Sequence, residues 1–171
     1  NGPRGSAFGE MEPVITNSTA HMTKEDRIAI ATYLFDGKSK PSAEPAAVTA
    51  PGLDAAVAAG SDGQALYLGN CALCHKATGE GIPNTTPPLA GNSTVAQADG
   101  RNLVMVTAGG LAQSQIVPGT GLKALGPMPA FKDRLTPAQI TAVVNYVRSS
   151  FGNPPPAPMT EKQVTAILDG K

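Results

Sequence analysis

The sequence Cys71-Ala72-Leu73-Cys74-His75 contains both cysteines of the 171-residue chain and one of its two histidines. Positions i and i+3 of a helix share a face, so the two sulfurs point to the same side and His75 follows directly. Two thiols at this spacing can form thioethers with the two vinyl groups of one porphyrin edge, and the imidazole can then bind the iron. The pattern is typical of covalent attachment of a c-type haem.

Three other uses of a cysteine pair fit the sequence less well. A structural zinc site needs four ligands, and beyond Cys71, Cys74 and His75 the chain offers only His21 as a further nitrogen or sulfur donor of the usual kind, across a proline-rich segment. A dithiol redox motif favours a βαβ context and a thiolate at a helix N-terminus, whereas these cysteines are predicted at a helix C-terminus. A disulfide is geometrically poor on one helical turn and leaves His75 unexplained.

The composition agrees with a cofactor-bearing domain. Hydrophobic residues make up 41% of the chain, alanine is the commonest of them, only 4% of residues are aromatic and Trp is absent. Such a chain has little apolar bulk for a core, and a porphyrin would supply it. The 13 basic and 13 acidic residues balance without a Lys/Arg cluster, which excludes a nucleic-acid binder. Two long stretches without charged residues, 81–98 and 102–122, are interrupted by polar residues, Gly and Pro, so neither is predicted to span a membrane.

Apolar periodicity predicts helices and no strands, so the fold class is all-α. The predicted helices cover residues 23 to 37, from 61 or 62 to 75, 99 to 108, 137 to 151 and 160 to 168. Thr23 and Thr136 are the expected N-caps of their helices, and Pro137 fits a first helical turn. No alternating apolar pattern of strand length occurs.

A partial internal repeat is indicated by the helices that follow Thr23 and Thr136. Each carries a Tyr ten residues after its cap, and each follows an upstream methionine, Met11 or Met128. The first copy would then lack its front half. Two unrelated amphipathic helices would give the same pattern. The Ala/Pro-rich composition of residues 38–60 indicates a linker between the two copies.

Met128 is the predicted sixth ligand of the iron. A low-spin electron-transfer haem needs a second axial ligand, and a thioether stabilises the ferrous state. Pro127 and Pro129 stiffen the loop around Met128, which lowers the entropy lost on ligation. Met105 lies within a predicted apolar helix, where core packing is the expected role. Met159 is expected at the surface.

The segment Pro87-Pro88-Leu89-Ala90-Gly91 is expected to lie beside the ligand imidazole. A ligating His usually donates its other ring N–H to a backbone carbonyl, and this turn can supply one. Pro87 and Leu89 are therefore candidate haem-pocket residues, although the prolines could equally serve turn chemistry. Tyr67 and Tyr146 either line the haem or fill the core.

Five motifs follow one another in a recognisable order. They are Gly63-x-x-Leu66-Tyr67-x-x-x-Cys71-Ala72-x-Cys74-His75, Gly79-x-Gly81, Pro87-Pro88-Leu89-Ala90-Gly91-Asn92, Met128-Pro129-Ala130-Phe131 and Asn145-Tyr146-Val147-Arg148. Together they resemble the last haem domain of the multihaem cytochrome c subunits that accompany bacterial membrane-bound alcohol, gluconate, sorbitol, fructose and aldehyde dehydrogenases. The resemblance covers about residues 61–153 and implies a class I cytochrome c fold around haem c.

Residues 8–36 resemble the end of the preceding haem domain in those subunits. The matching segments are Gly9-Glu10-Met11, Asn17-Ser18-Thr19 and Ala29-Ile30-Ala31-Thr32-Tyr33-Leu34. The resemblance implies that Met11 is an axial ligand of a second haem, although no Cys-x-x-Cys-His precedes it here. We therefore expect a fragment of a longer chain. Residues 1–37 would be a remnant of that domain, 38–60 a linker, 61–153 a cytochrome c domain and 154–171 a tail with a short helix.

The resemblance also implies the role. Subunits of this family receive electrons from a substrate-oxidising partner on the periplasmic side and relay them from haem to haem towards membrane quinone or a terminal acceptor. We therefore expect an electron-transfer subunit and not an enzyme. It should be periplasmic and should be held at the inner membrane indirectly, through a complex. Two alternatives are a free-standing soluble cytochrome shuttle and, if Met128 does not bind, a haem enzyme with an open iron site.

Overall fold

The structure is a computed structural model that describes residues 11–34, 62–83, 85–112 and 126–170. Its helices are α1 (Met11–Asn17), a 3₁₀ turn (Thr19–His21), α2 (Lys24–Leu34), α3 (Asp62–Asn70), α4 (Ala72–His75), α5 (Ser93–Ala96), α6 (Arg101–Gly109), α7 (Pro137–Phe151) and α8 (Glu161–Leu168). The described ranges contain no strand, only isolated bridges at Ile82–Thr86 and Leu111–Met128. The all-α prediction is confirmed. None of the helices described is long and apolar enough to span a membrane.

The crossing of α3 and α7 forms the centre of the domain. A Cβ built on Gly63 would lie 2.3 Å from Ala142 O, so only glycine allows the two backbones to approach this closely. Tyr67 is completely buried beside the crossing, and its ring centroid lies 5.3 Å from those of Tyr146 and Phe151. This aromatic cluster fixes the angle at which the helices meet.

Helix α7 begins as predicted, at the N-cap Thr136. Its hydroxyl accepts a hydrogen bond from Gln139 N, and the Gln139 side chain accepts one from Thr136 N, which completes a capping box. The buried residues of the helix include the apolar series Ile140, Val143, Val144, Val147 and Phe151. This face supplies the largest part of the core.

The C-terminal segment packs onto α6 and α7 through α8, in which Val164 and Ile167 are buried. The Asn145 side-chain amide binds the turn that precedes α8. It donates a hydrogen bond to Met159 O and accepts one from Met159 N, both at 2.8 Å. Met159 is partly buried against the core, so its expected surface position is wrong. The tail therefore packs closely against the domain.

Several helix boundaries differ from those predicted. The helix expected up to residue 75 is interrupted at Cys71, so that α3 and α4 are separate. The helix expected from residue 99 begins at Arg101, because the Asp99 carboxylate accepts from Arg101 N and forms a turn before it. Helix α2 begins after Thr23 as predicted, with Asp26 N donating to the Thr23 hydroxyl. Residues 35–37 and 38–60 lie outside the described residues. The short helices α1 and α5 were not predicted.

Candidate functional site

A cleft opens between α3, α6, α7 and the loops that join them. Its lining is mostly apolar and consists of Tyr67, Cys71, His75, Pro87, Leu89, Asn92, Thr94, Val95, Leu103, Val106, Thr107, Leu111, Met128, Val143, Val144 and Val147. The cleft therefore suits a mainly hydrophobic group.

The structure brings Cys71 and His75 to the lining of this cleft. His75 N donates to Cys71 O at 2.9 Å, so the segment forms one helical turn. Burial, and secondarily Cys74, raise the pKa of the Cys71 thiol to about 11, which keeps it neutral near pH 7. Cys74 is exposed on the same turn and does not belong to the lining.

His75 is poised as a metal ligand. Its side chain is only 8% exposed, and its Nδ1 lies 3.2 Å from Pro87 O, so an N–H at Nδ1 donates to that carbonyl. The hydrogen bond expected from the Pro87 turn is thus present, and it leaves the lone pair of Nε2 free. Burial lowers the pKa of His75 although the Pro87 contact opposes it, which favours the neutral imidazole that binds metals.

Backbone contacts hold the loop on which His75 lies. Gly81 N donates to His75 O at 3.0 Å, and Leu89 N and Ala90 N both donate to Gly79 O, at 2.7 and 3.0 Å. These contacts place Leu89 in the cleft wall beside Pro87. The loop is consequently held by backbone hydrogen bonds to neighbouring parts of the fold.

Met128 reaches the same cleft from a second loop. Its backbone pairs with Leu111 through two hydrogen bonds of 2.9 Å, and Phe131 N donates to carbonyls at the end of α6. A Cβ built on Gly110 would lie 2.4 Å from Met128 O, and Gly110 has φ +69, so glycine is required for this close approach. The loop presents the Met128 side chain from a fixed backbone.

Other predicted residues lie elsewhere. Met11 is 55% exposed at the first residue of α1 and does not line the cleft. Met105 is 49% exposed, so its expected core position is wrong. Tyr67 both lines the cleft and belongs to the core, whereas Tyr146 belongs to the core alone.

Much of the cleft wall was not predicted from the sequence. Val143, Val144 and Val147 on α7 and Thr107 on α6 line the cleft without having been among the candidate pocket residues. The helical spacing of the valines was the available signal, because it shows that they share a face. It does not show whether that face covers protein or a cofactor.

The donors present fit an iron porphyrin. A neutral imidazole and a thioether on one apolar cleft are the axial ligands of many c-type haems, and Cys71 lies beside them for thioether attachment. A site built from His, Cys and carboxylates does not fit, because the described residues hold no group of three such side chains. The zinc alternative therefore lacks ligands in this part of the chain.

The sequence profile of the cytochrome c family matches residues 60–151, more than half of the chain. The chain belongs to the cytochrome c family, which confirms the predicted fold and implies covalently bound haem c. The chain is also similar to a cytochrome c-552 of Thermus thermophilus. The two are 38% identical over 96 residues, which cover 54% of this chain and 70% of that protein.

Longer relatives match almost the whole chain. The cytochrome c subunit of a quinone alcohol dehydrogenase from Gluconacetobacter polyoxogenes is 34% identical over 171 residues, 96% of this chain and 35% of that protein. The cytochrome c subunit of a gluconate 2-dehydrogenase from Pantoea cypripedii is 32% identical over 168 residues, 95% of this chain and 37% of that protein. The chain thus spans about a third of the length of these relatives.

Proposed function

We propose that this chain carries one haem c, attached through Cys71 and Cys74 and ligated by His75 and Met128, and that it relays electrons within a dehydrogenase complex. The observation that carries the proposal is the shared cleft: the buried His75 imidazole and the Met128 thioether line one apolar cavity next to Cys71. Pro87 and Leu89 complete the wall on the His75 side.

The surroundings of the two ligands suit electron transfer. His75 and Met128 would hold a haem c in both of its oxidation states, and the haem would supply one-electron chemistry. The residues that α6 and α7 contribute to the lining are mostly apolar, and a low dielectric disfavours the extra positive charge of the ferric state. The Pro87 carbonyl holds His75 in one orientation, and the Leu111 pairing holds the Met128 backbone. A fixed, mostly apolar site favours a raised reduction potential.

The place of the chain in a larger assembly is inferred from its relatives. Two of them are named as cytochrome c subunits of alcohol and gluconate dehydrogenases. By analogy, a catalytic dehydrogenase subunit supplies the electrons, and further haem domains carry them to membrane quinone or a terminal acceptor. In this proposal the chain itself performs no bond chemistry and acts as an electron-transfer subunit.

Residues 1–37 are proposed to be the end of a preceding cytochrome c domain, joined through the linker 38–60 to the domain of residues 61–153 and the tail of residues 154–171. The support is the surface of α2, where the apolar residues Ile28, Ile30, Tyr33 and Leu34 are exposed. Such a surface fits a helix that packs against a further domain. Met11, at the start of α1, would then serve a second haem.

Periplasmic placement is proposed because thioether attachment of haem c takes place outside the cytoplasm. Contact with the inner membrane would then be indirect or peripheral, through the partner subunits. The closing helix α8 offers little apolar surface for a membrane, since its Val164 and Ile167 are buried within the domain.

The proposal is tested on the full-length natural protein, isolated from detergent-solubilised membranes through an affinity tag. We expect a dehydrogenase subunit to copurify, and we expect ethanol, gluconate or fructose to reduce the haem in the isolated complex. A Cys71→Ser/Cys74→Ser variant is the matched control and should bind no haem at this domain. Haem that is isolated free of any dehydrogenase and reduced by none of these substrates would instead support the soluble shuttle.

A further inference from the structure

Arg148 on α7 is the largest fully buried side chain among the described residues, with 1% of its surface exposed. Buried charges are normally paired with an opposite charge. Here the guanidinium donates only to backbone carbonyls: Nη1 to Gln97 O at 2.9 Å, and Nη2 to Ala98 O at 3.1 Å and Ala157 O at 3.0 Å. Its Nε is buried without a hydrogen-bond partner in the described part of the chain.

The charge on Arg148 is only weakly compensated. Asp99 is the acidic group that acts on it, but the Asp99 carboxylate is exposed and accepts a hydrogen bond from Arg101 N. Burial lowers the pKa of Arg148 and Asp99 opposes this, yet a guanidinium stays protonated at neutral pH. A positive charge is therefore held inside the domain, where solvent screens it poorly.

The helix that carries this charge forms part of the cleft wall. Val144, one turn before Arg148 on α7, and the adjacent Val147 both line the cleft. The carbonyls of Gln97 and Ala98 belong to the segment between α5 and α6, and Val95 in α5, just before that segment, lines the cleft as well. Arg148 is thus bound between two elements that contribute to the wall, without being part of the lining.

We propose that the buried charge of Arg148 raises the reduction potential of the haem in this domain, an inference that rests on the proposed function. Ferric iron carries one more positive charge than ferrous iron, so a nearby cation in a low dielectric destabilises the ferric state more. The three carbonyl contacts hold that cation at a fixed position between α7 and the segments of residues 97–98 and 157.

The test compares midpoint potentials of the holo-protein by redox titration at about pH 5, where hydrogen bonds to the backbone carbonyls favour the charged form of a lysine at this position. Arg148→Gln removes the charge and keeps an amide donor, and we expect its potential to fall below that of the wild type. Arg148→Lys keeps the charge, and we expect a wild-type potential with a lower melting temperature. Lys162→Gln on α8 removes an exposed cation and should alter neither value.

Two results would overturn the proposal and leave Arg148 with a purely structural role. One is a midpoint potential that falls as much in Arg148→Lys as in Arg148→Gln, and the other is an unchanged midpoint potential in Arg148→Gln. If the Arg148→Gln protein does not fold with haem, the Arg148→Lys variant still tests the proposal. A buried lysine loses its proton at lower pH than arginine, so the haem potential of Arg148→Lys should drop below that of the wild type as the pH rises from about 5 to 10. A potential that tracks the wild type over this range contradicts the proposal. Loss of Met128 ligation would appear separately, as a high-spin ferric spectrum of the wild type.

Discussion

The hydroxyl of Tyr67 donates to the carbonyl oxygen of Lys76 across 2.6 Å, and Lys76 is the residue that follows His75. Lys76 has φ 64 and ψ 158, a conformation that residues with a side chain seldom adopt. The hydrogen bond therefore joins the buried aromatic cluster of α3 and α7 to a constrained backbone position next to the proposed iron ligand. The central helix crossing and the ligand loop are one connected structure.

Removing that hydroxyl should destabilise the protein. Tyr67→Phe deletes only the oxygen and leaves the Lys76 carbonyl without its partner, so we expect the free energy of unfolding to fall by about 1–2 kcal/mol. Tyr146→Phe is the matched control, because its hydroxyl makes no hydrogen bond to any residue the structure describes. Chemical denaturation of both holo-proteins measures the difference. Equal losses in the two variants would show that the Lys76 contact contributes nothing.

Two glycines of α3 should respond in opposite ways to alanine. Gly63→Ala places a methyl group 2.3 Å from Ala142 O and forces α3 and α7 apart, so we expect a loss of about 1–3 kcal/mol. A Cβ on Gly69 meets nothing within 4 Å, and Gly69→Ala should gain about 0.5–1 kcal/mol from helix propensity. Melting temperatures of the two variants provide the measurement. A stable Gly63→Ala protein would refute the close crossing.

Replacing Met128 should lower the reduction potential. Met128→Ala removes the thioether that favours ferrous iron and opens the cleft to water, and both changes stabilise the ferric state. Met105→Ala is the control, since Met105 is half exposed on α6 and lies outside the lining of the cleft. Redox titration of the two variants tests the assignment. An unchanged potential in Met128→Ala would exclude it as a ligand.

The protein without haem should be largely unfolded. The valines of α7 and the apolar residues of α6 face the cleft, so they lose their packing partner when the haem is absent. Circular dichroism of the Cys71→Ser/Cys74→Ser variant measures this, with the holo-protein as the reference. Helix content close to that of the holo-protein would mean that the protein core is sufficient by itself.

The sequence was informative where local chemistry decides the structure. Thr136 and Gln139 form a capping box because their spacing alone brings side chain and backbone together. The position of Met105 could also have been predicted, since the buried residues Leu103, Val104, Thr107 and Ala108 define the inner face of α6 and leave Met105 outside it. Helical periodicity was a better guide there than residue type.

Other features depend on contacts between distant residues. Arg148 is buried because carbonyls of Gln97 and Ala98, about fifty positions earlier, converge on it, and a charged residue in a helix is ordinarily exposed. The helix predicted up to residue 75 is interrupted at Cys71, and here Gly69 and Asn70, just before it, were an overlooked local signal of a helix end. The burial of Arg148 leaves no such signal, because it is determined by tertiary packing.

The ferric absorption spectrum of the purified full-length protein tests the central claim most directly. Ligation of the domain's haem by His75 and Met128 predicts a low-spin spectrum with a weak band near the red end, from charge transfer between sulfur and iron. A high-spin ferric spectrum at this domain would show an open iron position, and it would contradict the assignment of Met128 and with it the proposed electron relay.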